Sequence, residues 1–303
     1  MKRVARAELT LQYIKEMKLT QFLATFAATS LAMALPSQAL VISGSDLFKG
    51  EMESTLLAAF EAAGLDVKIQ FDGSLLGQRD LAAGTVDASL LAIPDAARDE
   101  NNLRVFPLGY QTVTFLVNST NPVAEMTYSQ LSDLFRAGGE LSKWSSFTDA
   151  PAWQDRNISL IASRRANALT LELFNAMVMQ GSSYNVDLRF MSGDNESLVN
   201  AVVADASALA LTPAIQIDET VKALAVKADE GSQAYTPSRD NIFFGDYPLR
   251  LPFYLVVADD LDDSTLGALL QIIYSDAVTA ALAEVDCVPV PEPEQQAVLA
   301  QYE

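Results

Sequence analysis

Tyr110-Gln111-Thr112-Val113-Thr114-Phe115-Leu116-Val117-Asn118, followed at once by Ser119-Thr120-Asn121-Pro122, decides the fold. A run rich in β-branched and aromatic residues, ended by turn formers, reads as a long buried strand entering a turn. A second run of the same kind spans 249–258. Between the two lies material with its own βα rhythm: predicted helices at 128–136, 168–179 and 196–204, and a strand at 158–162. Ahead of the first run, strands at 40–43, 67–71 and 88–93 alternate with helices at 52–63 and 75–84. After the second, 264–274 and 275–285 read as helical. The pattern predicts an α/β chain of two lobes, each a central mixed sheet flanked by helices. Lobe 1 is 40–118 plus 249–303 and lobe 2 is 119–248, with the chain crossing near Asn118 and returning near Leu249. A cleft between two such lobes is where a small ligand binds.

The N-terminus reads separately. Lys18 precedes an apolar run of 14 residues, Phe22 to Leu35, and Pro36-Ser37-Gln38-Ala39 supplies a small-x-small cleavage signal. The run is shorter than the roughly 20 residues of a membrane span, so the expectation is an exported protein, cut after Ala39 and soluble. Met17-Lys18 opens an ordinary leader, which suggests that 1–16 precede the true start. The single cysteine, Cys287, permits no internal disulfide and is too distant to carry a lipid at a mature N-terminus; it reads as a small apolar filler. The formal charge is −19, and removal of a leader with net charge +3 leaves −22. Such a balance disfavours nucleic acid and anionic lipid as partners.

No histidine occurs in 303 residues. Ser-His-Asp and Cys-His catalysis and histidine-ligated zinc are therefore excluded. The carboxylates Asp259, Asp260, Asp262 and Asp263 sit in a polar turn ahead of a predicted helix, where capping is the expected role. Neither an enzyme nor a cofactor is expected.

Six segments resemble, in order, the phosphate-binding component of bacterial phosphate ABC importers. They are Ile42-Ser43-Gly44-Ser45-Asp46-Leu47-Phe48; Gly73-Ser74-Leu75-Leu76-Gly77 with Gly84-Thr85-Val86-Asp87; and Phe115-Leu116-Val117-Asn118 with Asn121-Pro122 and Trp144. The others are Arg164-Arg165-Ala166-Asn167-Ala168-Leu169-Thr170 with Phe174, the stretch from Tyr247 to Tyr254, and Val288-Pro289-Val290-Pro291. The resemblance spans nearly the whole mature chain. It implies a type II periplasmic-binding-protein-like fold, residence in the periplasm, a monomer, and capture of phosphate or a related small oxyanion for an ABC permease in the inner membrane. It also implies a ligand set of Ser45, Asp46, Leu47, Ser74, Arg164 or Arg165, and Thr170. Helix N-termini opening near Ser74 and Thr170 would offer backbone N–H groups to an anion, and an arginine a charge-assisted contact.

The chain departs from that family at three positions. Ala92 stands where the family has an aspartate that accepts a proton from the ligand, and Ala168-Leu169 replaces a Ser-Gly pair. Asp46 is a candidate substitute acceptor, with helix capping as the alternative; capping is equally the alternative for Ser45 and Ser74. The departures also admit a second reading, in which the chain binds another solute, or none, and serves as a sensor or interaction partner.

Overall fold

Each βα step of the sequence turns an apolar face to a sheet. The computed structural model describes residues 39–95, 103–163, 168–192, 195–213 and 219–302, the side chains of Ser163 and Ala168 excepted. Apart from Ala39, the expected leader lies outside these residues. The chain runs β1 (Leu40–Gly44), α1 (Glu51–Ala62), β2 (Val67–Gln70), α2 (Ser74–Ala82), β3 (Ala88–Ala92), β4 (Leu103–Thr112), β5 (Thr114–Asn118), β6 (Glu125–Thr127), α3 (Tyr128–Phe135) and β7 (Ser159–Ser163). It continues with α4 (Ala168–Phe174), β8 (Arg189–Met191), α5 (Asn195–Ala204), β9 (Ala208–Thr212), β10 (Val221–Ala223), β11 (Ala225–Lys227) and α6 (Arg239–Phe244). The last elements are β12 (Arg250–Ala258), α7 (Asp263–Ile273), α8 (Asp276–Glu284), β13 (Val288–Pro289) and α9 (Glu292–Leu299).

Two mixed sheets carry the architecture. The first has six strands in the order β13-β4-β12-β3-β1-β2, the second five in the order β10-β5-β9-β7-β8. In the first, β1 pairs parallel with β2 and β3, while β12 runs antiparallel between β3 and β4. In the second, β7 is parallel to β8 and β9, and β5 is antiparallel to β9 and β10. The fold is thus α/β and two-lobed.

Period-two alternation places one core on each face of each sheet. Along β12, Leu251, Phe253, Leu255 and Val257 join Met52, Leu56 and Phe60 of α1 and the apolar faces of α7 and α8. Tyr254 and Val256 point the other way, against Leu81 of α2 and Leu91 of β3. In the second sheet Phe115 and Val117 enter a core with Phe135, Trp144 and Phe174, while Leu116 meets Leu198 and Val202 of α5. Phe115, Phe135 and Phe174 form an aromatic trio with centroids 5.2–5.8 Å apart, Phe174 meeting both others edge-on, each pair adding about 0.5–1.5 kcal/mol beyond its buried area. Helix α3 starts on a capping box, Thr127 and Gln130 satisfying each other's backbone N–H groups.

The run 110–118 does not stay in one sheet. The run 110–118 is two strands broken at Val113, and β5 belongs to the five-stranded sheet. Both halves are buried, so burial carries no mark of the change of sheet; the Val113 N–H donates to the Leu249 carbonyl at 3.0 Å, tying the break in the first run to the start of the second. Among the described residues no single helix is long and apolar enough to cross a membrane. Cys287 is buried, as a filler should be.

Candidate functional site

The carboxyl ends of β1, β2 and β3 converge through two glycines. A Cβ on Gly77 of α2 would stand 2.9 Å from the Gly44 Cα, and one on Gly44 would stand 2.0 Å from the Leu90 carbonyl oxygen. Gly77 lets α2 lie directly on the end of β1, and Gly44 lets that end run against the β3 backbone. Ser89 Oγ fills the remaining space, donating to the Gly77 carbonyl at 3.0 Å beside Ser43 Oγ at 2.8 Å. The Gly73 N–H donates to the Gly44 carbonyl at 2.8 Å, and Gly73, at φ 127, is the N-cap of α2 with no side chain bonded to the helix end. The first N–H groups of α2, those of Ser74, Leu75 and Leu76, have no acceptor within the helix and carry its partial positive charge.

Ser74 therefore opens a helix, as expected, yet it does not cap it. Its hydroxyl donates to the Ala92 carbonyl at 3.1 Å and accepts from the Ala92 N–H at 3.0 Å, so it clips α2 to the end of β3 at the position where an acidic residue was expected and alanine stands. Ser45 is 2% exposed and caps the short 3-10 turn Asp46–Phe48, its Oγ accepting from the Leu47 N–H at 3.3 Å. Asp46 caps nothing; it lies exposed in the first turn of that segment. The Leu47 and Leu75 side chains are exposed.

On the second lobe, Arg164 and Arg165 lie outside the described residues. Thr170 is fully buried; its hydroxyl donates to the Thr112 carbonyl at 3.4 Å and accepts from Gln111 Nε2 at 3.3 Å, which spends it on the crossing strand. Leu169, one of the departures noted above, packs against the core of the first sheet, as does Ala92. The three candidate hydroxyls are thus all hydrogen-bonded to the chain itself, while the backbone donors of α2 remain the feature suited to an anion.

A polar network that sequence reasoning missed lies past the end of β3. Arg250 Nη2 donates to Asp95 Oδ2 at 2.6 Å, Nη1 donates to the Ile242 and Phe243 carbonyls at the end of α6 at 2.7 and 3.2 Å, and the guanidinium stacks 4.7 Å from the Tyr110 ring centroid. The Tyr254 hydroxyl donates to the other Asp95 oxygen. Burial raises the Tyr110 phenol above its ordinary value, and the neighbouring Arg250 offsets part of that rise. The only local hint was a Pro94-Asp95 turn; its partner stands 155 residues away. Among the described residues no group of acidic or cysteine side chains is placed to hold a metal.

Two mixed sheets flanked by helices, with the chain passing from the first to the second and back, place the protein in the class of two-lobed α/β folds. The chain belongs to the PBP superfamily: the family model described as a PBP superfamily domain matches residues 32–276. Among individual proteins, it is 26% identical over 195 residues to Protein SphX of Synechococcus elongatus, covering 61% of this chain and 55% of that one. The chain therefore matches little more than half the length of that curated relative. A possible phosphate binding protein from Planctomyces limnophilus superposes with a TM-score of 0.63 at 20% identity, over 87% of this chain and 96% of the other. An ABC-type phosphate transport receptor from Vibrio cholerae gives 0.53 at 21% identity, over 82% and 99%. At these identities the likeness fixes the fold.

Proposed function

We propose that the protein is a periplasmic solute-binding protein that captures a small oxyanion, phosphate first among them, between its two lobes and delivers it to an ABC permease. The observation that carries the reading is the N-terminus of α2, capped by no side chain and set at the carboxyl ends of three parallel strands. Relatives of the same fold are described as phosphate-binding and phosphate-transport proteins, and the six ordered motifs agree. Under this reading the lobes divide by sheet, at 113 and near 249; the protein works as a monomer, performs no chemistry and needs no cofactor. Arg164 or Arg165, Ser45, Asp46, Leu47, Ser74 and Thr170 are its candidate ligand residues, with backbone N–H groups supplying most of the donors.

The test is isothermal titration of the protein without its leader, residues 40–303, with phosphate, sulfate and a phosphonate. Micromolar or tighter binding, lost on Arg164→Ala or Arg165→Ala, is the expected result; no heat with any oxyanion would overturn it. One observation favours the second reading, a binding protein diverged to another solute or to signalling. The hydroxyls of Ser45, Ser74 and Thr170 are all engaged internally, and Leu169 brings an apolar side chain to the first lobe.

A further inference from the structure

Arg250 opens β12 at the edge of the first sheet where the candidate site lies. Phe253 of β12 pairs antiparallel with Ala92 of β3, so the start of β12 shares an edge with the end of β3, where Ser74 clips α2. The Arg250 side chain is 13% exposed, and its guanidinium is anchored without help from any carboxylate. Nη1 donates to the Ile242 and Phe243 carbonyls of α6, a helix packed in the core of the five-stranded sheet, and the Tyr110 ring lies under the group. Nη2 and the Tyr254 hydroxyl then each donate to one oxygen of the Asp95 carboxylate. Tyr254 is buried, whereas the Asp95 side chain is 49% exposed. The two donors are thus fixed in the protein, and their shared acceptor stands half in water past the end of β3.

A guanidinium and a hydroxyl that divide the two oxygens of one carboxylate between them can hold two oxygens of a phosphate or sulfate in the same way. Resting on the oxyanion-capture reading above, we propose that Arg250 and Tyr254 are anion-binding residues of the site and that Asp95 is their resident counter-ion, which an incoming small oxyanion displaces. An ion pair with a half-exposed carboxylate adds little stability, because water screens the attraction and solvates the carboxylate once released. Exchange therefore swaps one set of acceptor oxygens for another. The anchoring of Nη1 and the Tyr110 face keep the positive charge in place throughout. A doubly charged anion gains more from that charge than the single carboxylate gives up, so the exchange selects phosphate or sulfate dianions over a monoanion such as nitrate.

The experiment titrates the protein with phosphate, sulfate and nitrate at low ionic strength and mildly alkaline pH, in a calorimeter. It compares the unmodified chain with Asp95→Ala, Tyr254→Phe and Arg250→Gln. Asp246→Ala serves as the charge-matched control, because Asp246 is exposed and follows Gly245, the glycine beside the guanidinium. Expected is phosphate and sulfate affinity raised about tenfold in Asp95→Ala, changed less than about threefold in the control, lowered about three- to tenfold in Tyr254→Phe, and lost in Arg250→Gln. Sulfate should also raise the thermal midpoint of Asp95→Ala more than that of the unmodified chain, which a merely structural ion pair would not produce. Should Arg250→Gln melt too low to titrate, the Asp95→Ala comparison decides alone. Equal affinities in Asp95→Ala and Asp246→Ala, or undiminished binding in Arg250→Gln, would overturn the assignment; the capture reading survives that result if Arg164→Ala or Arg165→Ala abolishes binding. No heat with any anion in any of the proteins, Asp95→Ala included, would sink both.

Discussion

Replacing Ser74 by alanine separates the two roles open to that hydroxyl. In the structure it makes two bonds, one given to the Ala92 carbonyl and one received from the Ala92 N–H, at 3.1 and 3.0 Å. A typical intramolecular hydrogen bond contributes about 0.5–1.5 kcal/mol net, so loss of both should cost about 2 kcal/mol. For a chain of this size each kcal/mol lowers the thermal midpoint by about 2–4 °C, and the variant should melt about 4–8 °C below the parent. Urea unfolding followed by circular dichroism should show the same loss as a lower midpoint at unchanged slope. Phosphate titration on the folded variant gives the second coordinate: with the hydroxyl already engaged by Ala92, affinity should change by less than about threefold, under 1 kcal/mol. A midpoint within about 0.5 kcal/mol of the parent, together with a tenfold or greater loss of anion affinity, would refute the clip and assign the hydroxyl to the ligand.

Gly77→Ala should destabilise by about 1–2 kcal/mol, overpacking against the Gly44 backbone outweighing the gain in helix propensity; thermal melting measures it. Asp262, which caps α7 by accepting from the Thr265 N–H and the Ser264 hydroxyl, is held down at about 2 by those bonds, against an ordinary 3.8. A depressed carboxylate stabilises the fold fully above its unfolded value, and the contribution fades as pH falls from about 4 to about 2. Asp262→Asn should therefore flatten that part of the pH–stability curve, read by denaturant midpoints at a series of pH values. Burial raises the Cys287 thiol well above its ordinary value, so Ellman's reagent should react with it only after denaturant is added; prompt reaction of the native protein would contradict its position.

Much of the fold was legible because strands buried on both faces announce themselves. The run 249–258 became β12, and the helices expected from 52, 75, 128, 196 and 264 all appear within a residue or two of those starts. The strand β9, Ala208–Thr212, was not legible: it is wholly buried at the centre of the second sheet, but its alternating alanines carry little β-propensity. Strand β4 hid behind Pro107 and Gly109, which ordinarily break strands; here the register shift opposite Phe253 and Tyr254 absorbs them. At the candidate site, residue types were readable and partners were not. Nothing local says that Ser74 will bond Ala92, 18 residues on, or that Asp95 will find Arg250. The Gly84–Asp87 motif is architectural as well: Asp87 Oδ2 accepts from the Val41 N–H at 2.8 Å and fixes the start of β3 beside β1.

Strand β12 sits between β3 and β4, neighbours in sequence that never pair in space. Until residue 258 has been synthesised, both of those strands keep a bare edge, and the first sheet cannot form as one piece. The second sheet, drawn wholly from residues between 114 and 223, has every strand it needs well before then. Nucleation should therefore begin in the inserted lobe, and the first sheet should close late, after a loop longer than that whole lobe has been drawn in at an entropic cost that slows the step. In refolding, protection of amides in β5, β7 and β9 should precede that in β1 and β3, and a chain truncated before Arg250 should fold its middle and leave both of its ends open.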